Sequence, residues 1–176
     1  MARSNPNKKK RRQASKTLLI FGEGFNDGMF LKHLKALYSF NAGVAITVKK
    51  GKGGNAKSIV IDAIKIPGAF DRKVVVLDND KPKSEMIEAR REAKGRSIEL
   101  LENTPCLEYL LISIINERPK EKNSSWCKNE FESKYLNRKK RRESNEYNKL
   151  FPKKLLDSKR STISELNKLI SIMEGE

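Results

Sequence analysis

Residues 74–82 read Val74-Val75-Val76-Leu77-Asp78-Asn79-Asp80-Lys81-Pro82, and this stretch decides the fold. Four consecutive apolar residues, three of them β-branched, describe a strand buried on both faces, as in a parallel sheet. The run ends in two aspartates and a Lys-Pro turn, so the strand carries acidic side chains to its C-terminal edge. Toward the N-terminus, residues 17–21 form another buried strand. Gly22-Glu23-Gly24 follows, then a helix expected over 26–39 with Phe30, Leu31, Leu34, Leu37 and Tyr38 on one face. Residues 44–48 are a further strand, and the glycine-rich loop Lys49-Lys50-Gly51-Lys52-Gly53-Gly54 leads into a helix through Ile59, Ile61, Ala63, Ile64 and Ile66. Pro67-Gly68 is its expected stop. Beyond Pro82 come a charged helix (84–94), a weaker strand (97–101) and a helix over 105–116 with Thr104 as N-cap and Pro105 in its first turn. These βα units predict an α/β fold: a mainly parallel sheet of about four strands flanked by helices.

The chain of 176 residues suits one domain with a genuine core. Lys and Arg number 38 against 22 Asp and Glu, a formal net charge of +16, which points to a polyanionic partner. No apolar run approaches the ~18 residues of a membrane span, and no signal peptide is apparent, so a cytoplasmic protein without a membrane partner is expected. Cys106 and Cys127 lack the spacing of a thiolate zinc site, and His33 is the single histidine, which removes histidine-rich metal sites and leaves little for a Ser-His-Asp arrangement. Residues 1–16 carry seven basic residues and no acid, with Lys8, Lys9, Lys10, Arg11 and Arg12 consecutive. They read as a disordered basic arm that either binds nucleic acid or only adds solubility. Residues 17–116 form the α/β domain, and residues 117–176 a basic helical extension around Arg138-Lys139-Lys140-Arg141-Arg142. Helices are expected near 126–142 and 162–174, the second opened by a Thr162/Glu165 capping box. Trp126 and Phe131 read as anchors of the extension, Cys106 as a small buried residue, and His33 as bordering the packed face of the first helix.

Chemistry concentrates at the strand ends. Side chains alternate along a strand, so Asp78 and Asp80 are expected on one side, where open α/β sheets bind ligands. Like charges so placed repel unless a cation or donor lies between them, and all-oxygen ligation suits Mg²⁺ or Mn²⁺. The competing reading is a plain acidic turn. Glu23, flanked by glycines, has room for a ligand, and Asp27 falls in the first turn of the next helix, where a negative charge is also favourable in itself. Lys49, Lys50 and Lys52 either hold phosphate, aided by backbone N–H groups, or lie on a flexible connector; the loop is not a Walker A motif.

Taken together, Glu23-Gly24-x-x-Asp27-x-x-x-Leu31 after the first strand and Asp78-x-Asp80 after the third resemble a Toprim domain. More narrowly, the chain is similar to the small RloB-like Toprim proteins, relatives of the Toprim nucleases in overcoming-lysogenization-defect (OLD) and other phage-defence proteins. The loop Gly51-Lys52-Gly53-Gly54, the segment Asp78-Asn79-Asp80-Lys81-Pro82 and the stretch Asn103-Thr104-Pro105-Cys106-Leu107-Glu108-Tyr109-Leu110-Leu111 carry that match, the last being similar to the family's N-P-C-F-E-x-W-L-L. The chain departs from the pattern at Leu107 and Tyr109, and only Asp27 fills the place of a second acidic cluster after Glu23. The resemblance covers roughly residues 17–116 and implies Mg²⁺- or Mn²⁺-dependent hydrolysis of a nucleic-acid phosphodiester. Glu23, Asp78 and Asp80 would hold the first ion, with Glu23 bridging to a second beside Asp27 and Glu108 as the other candidate. The implied partners are DNA or RNA and a separate ABC-type ATPase in anti-phage defence, with a homodimer as a further candidate. A ribonuclease acting on structured RNA and a non-catalytic nucleic-acid-binding module are the rival functions.

Overall fold

The computed structural model describes residues 15–40, 42–116, 118–120, 123–137 and 139–176, so Lys8, Lys9, Lys10, Arg11, Arg12 and Arg138 lie outside the described residues. The sheet is built from β1 (Lys16–Gly22), β2 (Val44–Lys50), β3 (Arg72–Asp78) and β4 (Glu99–Asn103). The strands lie in the order β2-β1-β3-β4, and every pairing is parallel. Lys16 pairs with Val44 as the first residue of β1, which moves the boundary expected after residue 16.

Strand periodicity sorts the core into two layers. Leu18, Ile20, Val74 and Val76 face one side and pack with Phe30, Leu31 and Leu34 of α1 (Phe25–Tyr38) and with Leu111 and Ile114 of α4 (Leu107–Ile115). Phe21, Val75 and Leu77 face the other side. There they meet Ile59 and Val60 of α2 (Ala56–Ile64) and Met86 and Ala89 of α3 (Lys83–Gly95). Residues i and i+2 share a face, so an uninterrupted apolar strand supplies both layers. Asn55 starts α2 by accepting the Lys57 and Ser58 N–H groups on Oδ1.

The start of α4 differs from the expectation. The Thr104–Pro105 peptide is cis, the helix begins at Leu107, and Cys106 is its N-cap. Thr104 lies two residues before the N-cap and its hydroxyl accepts a bond from the Asn79 side chain, while the first helical N–H of Leu107 is met by Asp78.

The C-terminal region is helical, as expected, and it packs onto the core of the α/β part. It comprises α5 (Ser124–Lys134), a 3-10 turn at Lys140–Arg142, α6 (Ser144–Leu150), α7 (Lys153–Arg160) and α8 (Ser164–Glu174). Phe131, Leu136, Tyr147, Phe151, Leu166 and Ile170 join the same cluster as β1 and α1. Phe151 stands edge-on to Phe30 at 5.4 Å between ring centroids, and its carbonyl accepts a 2.8 Å bond from His33 Nε2. That bond ties His33 into the core; burial lowers its pKa, with the carbonyl opposing. Of the two expected anchors, Trp126 is 39% exposed and Phe131 is buried in the core. The expected helix over 126–142 breaks after Lys134. The Thr162/Glu165 capping box is absent, because α8 begins at Ser164 with Ile163 as its N-cap, and the Thr162 hydroxyl instead donates to the Lys159 carbonyl at the end of α7. Among the described residues, no helix is long and apolar enough to cross a membrane.

Phe151 is fully enclosed where the C-terminal helices meet α1. Phe151→Ala is expected to cost about 3–5 kcal/mol in urea unfolding, the usual loss for a large aromatic removed from a core. A loss below about 1 kcal/mol would mean that the helices after α4 are an appendage.

Candidate active site

The strand order reverses at β1, which has β2 on one side and β3 on the other. At such a switch point the connections leave the C-terminal edge in opposite directions and open a crevice. Glu23 follows β1, Asp78 ends β3, Asp27 lies in the first turn of α1, and Glu108 in the first turn of α4. All four line a cavity of about 480 Å³, together with Lys50 and Lys52 of the glycine-rich loop, Lys128 of α5 and Arg141 of the 3-10 turn. Asp27, Asp78 and Glu108 are each only 6% exposed.

Each carboxylate is held by its own donors. Glu23 Oε2 accepts the Asp78 N–H at 3.2 Å, and Glu23 Oε1 pairs with Lys81 at 2.9 Å. Asp78 Oδ1 accepts the Leu107 N–H at 2.8 Å, so it caps α4 and faces the positive end of that helix. Asp27 Oδ2 accepts the Gly24 N–H at 3.0 Å, and Glu108 Oε1 accepts the Asn26 amide at 2.8 Å. Gly22 makes this closeness feasible: a Cβ there would fall 2.6 Å from Cβ of Asp27. The glycine-rich loop is fastened rather than loose, since Gly51 and Gly53 donate N–H bonds to the carbonyls of Gly22 and Glu23.

These donors leave a deficit. Among the described residues, the buried side-chain polar atoms without a partner include Asp27 Oδ1, Glu108 Oε2, Asn26 Oδ1 and Arg141 Nε, all from residues lining this one cavity. Burial and then the charges of Glu108 and Glu23 push the Asp27 carboxyl up to about 7, against the Gly24 bond. Burial and then Asp27, Glu108 and Glu23 push Asp78 up to about 8, against the Leu107 bond. Protons therefore neutralise part of the cluster near neutral pH. A hard divalent cation would relieve the same repulsion, and the all-oxygen donor set with its two unpartnered oxygens fits Mg²⁺ or Mn²⁺. Among the described residues, no three acidic, thiol or imidazole groups stand close enough to hold a metal as they are arranged. Each carboxylate is instead drawn to a separate N–H or lysine.

Asp80 stands two residues beyond Asp78, past the end of β3; its carboxylate shares one ammonium with that of Asp78, and it is not among the residues lining the cavity. It pairs with Lys128 at 2.9 Å, an ammonium that also lies 3.6 Å from Asp78. Burial pushes Asp80 upward, but the bond and charge of Lys128, with Ser124 and Lys81, outweigh it and hold the carboxyl below its ordinary value. Lys49, Lys139, Lys140 and Arg142 are exposed and away from the cavity, which admits only Arg141 from the described part of that basic run. Sequence reasoning overlooked Asn26, Lys81 and Lys128. Lys81 stands in the motif segment itself, whereas no pattern marks Asn26 or Lys128.

The raised carboxyls have a consequence for stability. Asp27 and Asp78 would titrate near 3.8 when unfolded but near 7 and 8 when folded. The folded chain then holds protons that the unfolded chain has lost, so this stability is present below about pH 4 and falls as pH rises through 7–8. The slope is up to about 1.4 kcal/mol per pH unit for each such proton. In urea unfolding with EDTA, Asp27→Asn is expected to flatten the loss between pH 5 and pH 8.5 and to exceed the native chain at the upper end, these pH values lying on roughly either side of both transitions. Equal pH profiles would refute the raised values.

Compared with protein-family models, curated proteins and solved structures, the chain has no match, so the geometry of this cluster carries the functional reading.

Proposed function

We propose that this protein is a Mg²⁺- or Mn²⁺-dependent nuclease that hydrolyses phosphodiester bonds of DNA or RNA. The observation that carries the reading is the convergence of Glu23, Asp27, Asp78 and Glu108 at the switch point, with buried carboxylate oxygens unpartnered and lysine and arginine on the same cavity. The Toprim-like motif segments fall on these same residues and support it. Asp27, Asp78, Glu108 and Glu23 would hold the ion, which when bound polarises the scissile phosphate and activates water at neutral pH.

The remaining roles belong to the chain itself. Asn26 orients Glu108, the Leu107 N–H fixes Asp78, and Lys81 holds Glu23 against the β3 end. Asp80 keeps Lys128 beside the cavity and so contributes positive charge at its mouth. Lys50, Lys52 and Arg141 offer positive charge to a phosphate backbone. Action as an effector of anti-phage defence alongside a separate ATPase follows from the resemblance alone and belongs to the same proposal.

Purified protein incubated with single- and double-stranded DNA and RNA should cleave at least one of them in Mn²⁺ and none in EDTA. Asp78→Ala and Glu23→Ala should each lower that rate about 100-fold or more, the scale on which loss of one transition-state contact is felt. Both variants should remain folded in EDTA, since the repulsion relieved is set against the lost Leu107 bond of Asp78 or the lost Lys81 pair of Glu23. Native-like cleavage by either variant would overturn the assignment, and tight binding of every substrate without cleavage would favour a non-catalytic nucleic-acid module.

A further inference from the structure

Phe25 opens α1 at the cavity mouth, and two cations from distant parts of the chain are gathered on its ring. Lys50 Nζ lies 5.3 Å from the ring centroid and the Arg141 guanidinium carbon 5.2 Å. The stem of Lys50 is seated as well: a Cβ on Gly28 would lie 2.9 Å from its Cδ and 3.0 Å from its Cβ, so the lysine occupies the space that a side chain at position 28 would need. Arg141 has its Nε buried and without a partner. Among the described residues, neither cation pairs with a carboxylate, although acidic groups line the same cavity. Two cations backed by one ring at the cavity mouth, neither paired with a carboxylate among the described residues, are arranged to meet the acceptor oxygens of a phosphate backbone.

We propose that Lys50 and Arg141 form a phosphate clamp that fixes the backbone of the nucleic-acid strand beside the carboxylate cluster, with Phe25 as the positioning residue that holds both cations. The clamp deepens the nuclease reading and rests on it for the identity of the anion. It also separates Arg141 from Lys139, Lys140 and Arg142, which are exposed on the same segment and serve only as diffuse charge. Phe25 acts through the two cations: the ring fixes where they stand, and the cations meet the phosphate oxygens.

The probe is a fluorescein-labelled single-stranded oligonucleotide, its Kd measured by anisotropy in EDTA and its KM and kcat in Mn²⁺. Arg141→Ala and Lys50→Ala are each expected to raise Kd and KM about tenfold, as for a lost charge-assisted hydrogen bond, with kcat nearly unchanged. Each should also reduce the salt slope by about 0.7, the value for one phosphate contact on a single strand. Lys139→Ala removes the same charge outside the cavity and should change Kd less than about twofold. Phe25→Leu removes no charge and should still raise Kd about threefold, with Phe25→Tyr restoring it. Gly28→Ala should weaken binding by displacing the Lys50 stem, and a Lys50→Ala background should remove that effect on Kd. If Lys139→Ala weakens binding as much as Arg141→Ala, or if Phe25→Leu binds like the native chain, the clamp is overturned, even where cleavage in Mn²⁺ sustains the nuclease reading. The expected Kd pattern without any cleavage would support the clamp as an anion site and remove the nuclease reading.

Discussion

Mutual repulsion among Asp27, Asp78, Glu108 and Glu23 is the constraint around which the rest of the molecule is arranged. Asp27, Asp78 and Glu108 are almost wholly buried, and for Asp27 and Asp78 burial adds to the repulsion by disfavouring the charged form. Folding brings them together because the apolar runs of β1 and β3 pair in parallel and deliver their C-terminal ends side by side. The chain then offsets the electrostatic cost locally. It places the first N–H of α4 on Asp78, the Gly24 N–H on Asp27, the Asn26 amide on Glu108 and Lys81 on Glu23. The offset is incomplete, as the raised Asp27 and Asp78 carboxyls and the unpartnered oxygens show. Buried polar groups left unsatisfied in one cavity are the kind of strain that functional sites retain.

The helices after α4 matter to the site as well as to the core. Phe131 and Phe151 fasten them to α1, and the same helices bring Lys128 to Asp80 and Asp78. The 3-10 turn that follows α5 places Arg141 over Phe25. Core packing on one face of the sheet therefore sets where positive charge stands at the cavity mouth. A core substitution such as one at Phe151 acts on stability first and on charge placement second.

Much of the fold is legible in the sequence because buried parallel strands leave continuous apolar runs, as residues 74–77 and 17–21 do. Glu23, Asp27, Asp78 and Glu108 are legible for a related reason, since a strand end or first helical turn near the C-terminal edge is where such folds bind ligands. Asp80 meets the same lysine as Asp78, although β3 ends at Asp78 and strand alternation does not extend to it. Thr104 and Thr162 look like helix caps, but the helices start later, with Cys106 and Ile163 at the N-cap positions. Lys128 and Arg141 reach the site only through tertiary packing, and one basic residue among many carries no local mark. Asn26 is similar: its role depends on Glu108, which lies 82 residues away along the chain.

As a cation site, the reading proposed for it, the carboxylate cluster would be held in check by protons and by its own donors. Calorimetric titration of Mn²⁺ into the metal-free protein near neutral pH, repeated in buffers of different ionisation enthalpy, measures binding and proton release together. With Asp27 titrating near 7 and Asp78 near 8, saturable binding should expel about one proton or more per chain, and Asp27→Asn should release fewer. No saturable binding, or binding without proton release, would contradict the account.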